Sequence, residues 1–252
     1  MARKIIIAGN WKLNKTAAET AAVITELKGL VADVTAAEIV ICPTFTSLTA
    51  AVEAAAGSNV QIGAQNVAWA ESGAFTGEIS AEMLKETGVT WAITGHSERR
   101  QYFNETDATV NARTKAALKA GLKVMLCVGE TLEEREDEIT NAVCEIQIRR
   151  GLKGISAEDM ANIVIAYEPV WAIGTGKTAT PEMADETHKA CRDVVEAIYG
   201  IEVAEAVRLQ YGGSMKGANS AQLVGQTNID GGLVGGASLV PSDFTALIKN
   251  AI

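Results

Sequence analysis

Ile163-Val164-Ile165-Ala166-Tyr167-Glu168-Pro169 passes through a glycine-containing loop into Thr180-Pro181-Glu182, and an Ala- and Glu-rich stretch then runs from Pro181 to Tyr199 before Gly200. The first part reads as a short strand, because β-branched residues pack well on a pleated surface. The second reads as a helix with both ends marked. Thr180 stands as N-cap, Pro181 occupies the first helical position, and Glu182 sits near the positive end of the helix dipole. Gly200 falls where a left-handed C-cap belongs. The segment is therefore one strand followed by one helix.

Working outward, the same unit recurs. Apolar runs stand at Ile5-Ile6-Ile7, Ile39-Val40-Ile41, Val60-Gln61-Ile62, Trp91-Ala92-Ile93, Val124-Met125-Leu126, Ile163-Val164-Ile165, Arg208-Leu209-Gln210 and Leu233-Val234. Between them lie stretches with helical spacing, such as Thr16 to Leu30, Asp107 to Ala120, Glu133 to Arg150 and Ser220 to Thr227, and Gly121 is a second C-cap candidate. Strands that are apolar throughout and separated by helices imply a parallel sheet covered on its faces, since a parallel crossover needs a dozen or more residues. An open doubly wound sheet and a closed barrel both satisfy this. Eight units in 252 residues, with no linker or charge shift dividing the chain, favour a (β/α)8 barrel, a single domain over residues 1–252.

Composition narrows the functional classes. Lys plus Arg total 22 against 31 Asp plus Glu, a net charge of −9, and hydrophobic residues make up 48%. That balance excludes disorder and a disulfide scaffold and argues against broad nucleic-acid binding. Aromatic residues are only 5%, so the cores must be aliphatic. No apolar run approaches the roughly 18–20 residues of a membrane span, and Met1 to Lys4 lead straight into Ile5 without a signal-type apolar region. A cytoplasmic location follows as the expectation. Cys42, Cys127, Cys144 and Cys191 are widely spaced and read as reduced, buried thiols. With His96 and His188 the only histidines, a His-rich metal site cannot be built.

In a parallel barrel the chemistry gathers just after the strands. Asn10-Trp11-Lys12 places an amide and a cation after the first run; its plain alternative is a solvated lysine in a turn. After the fourth comes Gly95-His96-Ser97-Glu98-Arg99-Arg100, where Ser97 is read as a helix cap with His96 just outside a positive helix end. A histidine kept neutral there can donate to a substrate oxygen or exchange a proton with it; the alternative is a satisfied half-buried histidine. Tyr167-Glu168-Pro169 sets a carboxylate on the rim before a rigid proline, and burial under a closing loop would raise its basicity towards that of a general base. A rim salt bridge is the lesser reading.

The loop from Pro169 to Thr178 reads as a hinged lid. Gly174-Thr175-Gly176-Lys177-Thr178 approximates a nucleotide-binding P-loop, but that motif needs glycine where Trp171 stands. Glycines also suit a loop that must change its dihedral angles. Tyr211-Gly212-Gly213-Ser214 and Gly235-Gly236-Ala237-Ser238 follow the seventh and eighth runs, where barrels commonly bind phosphate through backbone amides. The acidic run Glu130 to Glu138 is read as a solvated helix face, and Cys127 has no evident activating base.

Taken in order along the whole chain, Asn10-Trp11-Lys12, Gly63 to Asn66, Gly95 to Arg100, Tyr167 to Trp171, the 169–178 loop, Tyr211 to Ser214 and Leu233 to Gly236 resemble the triosephosphate isomerase family. The resemblance implies interconversion of dihydroxyacetone phosphate and glyceraldehyde 3-phosphate through an enediolate, a step of glycolysis and gluconeogenesis, with no metal or organic cofactor. It assigns Glu168 as base, His96 as neutral electrophile, and Lys12 and Asn10 as cation and hydrogen-bond donor. Asn10, Trp11, Lys12, Gly174, Ser214, Gly235 and Gly236 are implied to bind substrate. A homodimer is implied through Gln65 to Glu78, with Thr76 near the partner's catalytic residues and with Trp69 and Phe75 as apolar surface; no nucleic acid or membrane partner is implied. Arg99 with Glu105, and Glu98 with Lys12, are family-like ion pairs. Gly232 and Met215 depart from the family pattern. A barrel enzyme acting on another sugar phosphate and a non-catalytic phosphate binder are the alternative classes.

Overall fold

The computed structural model describes residues 3–173 and 179–252. Its strands are β1 (Ile5–Asn10), β2 (Ala37–Cys42), β3 (Val60–Ala64), β4 (Trp91–Thr94), β5 (Lys123–Val128), β6 (Ile163–Tyr167), β7 (Arg208–Tyr211) and β8 (Gly231–Val234). Each contains one of the runs expected from sequence. They form a closed parallel barrel in chain order, sealed where β1 meets β8 at Ile6↔Gly231 through Gly9↔Val234.

The surrounding helices are α1 (Ala17–Leu30), α2 (Leu48–Ala55), α3 (Ala81–Glu86), α4 (Ser97–Phe103), α5 (Asp107–Lys119), α6 (Leu132–Glu136), α7 (Thr140–Gly151), α8 (Pro181–Tyr199), α9 (Ile201–Ala206), α10 (Ser220–Val224) and α11 (Pro241–Asn250). Closure explains why the strands lack polar alternation. Ile6, Val40, Ile93, Met125, Val164 and Leu233 fill the barrel interior. Their neighbours Ile7, Ile39, Ile41, Val124, Leu126 and Ile165 pack with the core beneath the helices. Both strand faces are buried, so both must be apolar.

The helix ends obey local chemistry. The Thr180 hydroxyl accepts from Met183 N–H at the start of α8, and Gly200, at φ +88°, donates to Glu196 O at 2.8 Å at its end. Gly121 follows α5 at φ +84°. One expectation changes: the 133–150 stretch is two helices, broken around Glu138 at φ +60°. The reason is burial. α7 turns Thr140, Cys144, Ile148 and Gly151 inwards, whereas α6 buries no residue and so has no buried face to continue the line of α7. Likewise, helix α10 stops at Val224, where Gly225 caps it.

The barrel's amino-terminal mouth is closed by charge. Glu38 pairs with Arg208 at 2.6 Å and Lys123 at 3.2 Å and accepts from Gln61 at 2.8 Å, beside Trp91. The carboxyl ends of the strands carry the open cleft. All four cysteines are free, buried thiols, and no described helix is long and apolar enough to cross a membrane.

Candidate active site

A cavity of about 370 Å³ opens at the carboxyl ends of the strands, lined among others by Asn10, Lys12, His96, Glu168, Ser214, Gly235 and Gly236. Residues from the first and last strand ends, Asn10 and Gly236, thus share one space. Gly174, the remaining glycine of the expected phosphate grip, lies outside the described residues, as does the second half of the expected lid, residues 174–178. Trp11 is placed elsewhere. Its indole is fully buried and donates to Ser238 O at 3.0 Å, bracing the turn after β1 against the one after β8.

β6 delivers Glu168 to the cleft as a buried carboxylate. Its Oε1 lies 2.9 Å from His96 Nε2, and its Oε2 accepts from Ser97 N–H at 2.9 Å. Burial pushes this carboxyl up, but His96, the Ser97 amide and Lys12 prevail and hold it below the ordinary glutamate value. The basicity expected from burial alone is therefore masked in this arrangement by the partners the carboxylate rests against.

His96, not Ser97, is the N-cap of α4, and Ser97 is the first helical residue. Its Nδ1 accepts from Glu98 N–H at 3.2 Å, which leaves the single ring proton on Nε2 facing Glu168. Burial disfavours the imidazolium, yet the Glu168 carboxylate favours it and prevails, so the affinity for a second proton is raised. That rise belongs mainly to the pairing with Glu168, with the Glu98 carboxylate adding to it. The helix terminus works against it.

Lys12 takes φ +52°, a left-handed backbone uncommon outside glycine. Two side chains hold it there: Asn10 Oδ1 accepts from Lys12 N–H at 3.0 Å, and Gln65 Nε2 donates to Lys12 O at 2.8 Å and to Cys42 O at 2.9 Å. Its ammonium pairs with Glu98 at 2.6 Å, the ion pair expected from sequence. The other expected pair, Arg99 with Glu105, is also formed.

Beside Lys12, Gly235 precedes a short 3₁₀ turn over Gly236–Leu239, and the first N–H groups of such a turn have no partner within it. Ser214 lines the same cavity, its carbonyl accepting from Asn219 Nδ2 at 3.1 Å. Lys216, not singled out from sequence, adds a cation to the same rim. The two departures from the family pattern prove to be one feature. A Cβ at Gly232 would lie 2.5 Å from Met215 Sδ, so the methionine fills the room a larger residue would take.

Glu130 is the clearest misreading of the acidic run. It is wholly buried, accepting from Tyr167 OH at 3.0 Å and Trp171 Nε1 at 2.8 Å, and burial raises its carboxyl above the ordinary value. It thereby ties β5 to the residues after β6. Cys127 faces the barrel interior near Glu168, where burial pushes its thiol well above the ordinary range and leaves it unreactive.

The segment from Gln65 to Glu78 is stapled at its base and open at its tip. Arg113 donates to Val67 O and pairs with Glu78, while Ala68 N–H reaches Ile79 O at 2.8 Å. Trp69 and Phe75 stack edge to face at 5.1 Å and remain 42% and 41% exposed, with Thr76 exposed beside them.

Comparison with known proteins places this geometry. Residues 5–251 match the family model described as triosephosphate isomerase. The chain is 55% identical to the triosephosphate isomerase of Solibacter usitatus over 98% of its own length and 99% of that protein. It is 54% identical to that of Acetivibrio thermocellus, covering 99% of each chain, and 52% identical to that of Carboxydothermus hydrogenoformans, covering 99% of this chain and 100% of the other. With a closed eight-stranded barrel and a match that runs its length, the chain belongs to the triosephosphate isomerase family and is an enzyme of that type.

Proposed function

We propose that this chain interconverts dihydroxyacetone phosphate and D-glyceraldehyde 3-phosphate through an enediolate, as one domain over its whole length. The observation that carries the reading is the sharing of one cleft by a buried carboxylate, an imidazole N–H, an ammonium and two glycine turns. Removing a proton beside a carbonyl needs a base, a polariser for the oxygen and a counter-charge, and the first three groups meet those needs. Glu168 takes a proton from one substrate carbon and returns it to the neighbouring one. His96, with one ring proton on Nε2, serves the two oxygens; once the carboxylate turns from the ring to the substrate, the larger of the influences favouring imidazolium goes with it, Glu98 remaining. Lys12 balances the enediolate charge and Asn10 donates beside it. Ser214, Gly235 and Gly236, with Gly174 from the sequence, hold the phosphate, whose binding energy supports closure of the 169–178 loop and exclusion of water.

The test is the isomerisation rate with glyceraldehyde 3-phosphate, followed through a coupled assay with no added metal, with a Glu168 variant as control. Fast turnover that depends on Glu168 supports the reading. A folded protein that binds the triose phosphate without turning it over refutes it in favour of a phosphate-binding module.

The chain acts as a homodimer in the cytoplasm, within glycolysis and gluconeogenesis. What supports the dimer is the rigidly based 65–78 segment presenting Trp69 and Phe75 as joined apolar surface. Phe75→Glu is expected to shift the sedimentation equilibrium towards monomer and to lower activity with it. A fully active wild-type monomer removes the proposal.

A further inference from the structure

Glu168 is gripped from both sides by residues without side chains. A Cβ on Gly129 would lie 1.8 Å from the Glu168 carbonyl oxygen, and one on Gly212 would lie 2.7 Å from Glu168 Cγ. Glu168 N–H donates to Val128 O at 2.7 Å, and Gly212 N–H to Tyr167 O at 2.7 Å. The position of the carboxylate therefore follows the position of Gly129 closely. Gly129 lies one residue beyond the end of β5, and backbone bonds bracket it, Val128 O accepting from Glu168 N–H at 2.7 Å and Glu130 O from Val170 N–H at 3.0 Å.

Gly129's own N–H and C=O are both taken by one side chain from the helix layer. Gln147 Oε1 accepts from Gly129 N–H at 2.8 Å, and Gln147 Nε2 donates to Gly129 O at 3.2 Å, so a single amide takes both polar groups of that residue. Gln147 stands on α7 between Cys144 and Ile148, which are buried in the core and fix where the amide starts. Gln147, Gly129 and Glu168 also border one cavity of about 670 Å³ beside the active cleft. The clamp thus borders an open space, and directed hydrogen bonds add there to the restraint that packing supplies elsewhere.

We propose that Gln147 is a positioning residue for isomerisation: through Gly129 it sets where the Glu168 carboxylate stands, without touching substrate. This rests on the reading of Glu168 as the base. A purely structural clamp would affect thermal stability alone. A positioning clamp also changes turnover and the surroundings of the Glu168 carboxylate.

Gln147→Leu keeps the side chain's bulk and removes both hydrogen bonds. Its kcat is expected to fall about tenfold with KM within about twofold, since displacement of a reacting group by even 1 Å costs up to about 10²-fold. The Glu168 carboxyl carbon, followed by ¹³C NMR and assigned by its loss in Glu168→Ala, is expected to titrate closer to the ordinary glutamate range as its contact with Ser97 loosens. Gln147→Glu retains an acceptor for Gly129 N–H and is expected to fall between the two proteins on both measures. Should Gln147→Leu not fold, the same two readouts on Gln147→Glu decide. A folded Gln147→Leu with wild-type kcat and an unshifted carboxyl signal overturns the inference while Glu168→Ala remains inactive. An active Glu168→Ala overturns the underlying reading instead.

Discussion

Glu168→Ala is expected to leave the barrel folded and triose phosphate binding largely intact while lowering kcat by at least about 10²–10⁴-fold, the usual contribution of a positioned acid–base group. Glu168→Asp should cost about 10²-fold, because withdrawing the carboxylate by one methylene misplaces it by about 1 Å. The structure gives reasons to expect geometry to matter this much. The backbone of Glu168 is pinned to Val128, its Cγ lies against Gly212, and its two oxygens are divided between His96 and Ser97. An aspartate on the same backbone cannot keep both contacts and still reach substrate. Both variants are checked by steady-state kinetics in each direction together with ligand affinity, so that loss of chemistry separates from loss of binding. If Glu168→Asp turns over like the wild type, Glu168 is not the base.

How far the sequence carries depends on what a residue's neighbours are. The barrel is readable from eight apolar runs because parallel strands buried on both faces must be apolar throughout, and the mouth is readable because Asn10, His96, Glu168 and Gly235 stand at, or within two residues of, the carboxyl ends of the strands those runs form. Residues whose role depends on helix rotation are not readable. Gln147 looks like an exposed helix polar residue until α7 is seen to turn it towards Gly129. Glu130 looks like one acid of a solvated run until the fold brings the Tyr167 hydroxyl and Trp171 indole to donate to it. Trp11 sits in a substrate-like motif, yet its indole serves packing. In each case the sequence neighbours mislead because the deciding contact comes from another βα unit.

The cap at His96 shows the same limit within a single turn. Ser97 is the better N-cap by residue type, but its N–H is taken by Glu168 and the imidazole assumes the capping role. One local preference yields, and two site residues are oriented by the exchange. Burial without those partners would raise Glu168; with them, the carboxylate is held ionised.

Lys12→Met is expected to lower kcat/KM by about 10²–10³-fold, the scale on which loss of one preorganised electrostatic donor is felt. Methionine keeps most of the stem and removes the charge, so the change isolates electrostatics from packing. The position favours a large effect. The lysine's left-handed backbone is held by Asn10 and Gln65, its Cε passes within 3.8 Å of where a Gly235 Cβ would stand, and its ammonium reaches towards Glu98 on the other side. One cation therefore stands between the expected phosphate turn and the reacting oxygens. If it serves both, Lys12→Met weakens inorganic phosphate binding modestly and the affinity for an enediolate-like phosphorylated hydroxamate far more, because only the latter carries charge at the reacting end. Equal losses for the two ligands would confine Lys12 to holding phosphate. Lys12→Arg restores the charge but not its point geometry, since a planar fork cannot occupy the site of a compact ammonium, and it is expected to recover part of the loss.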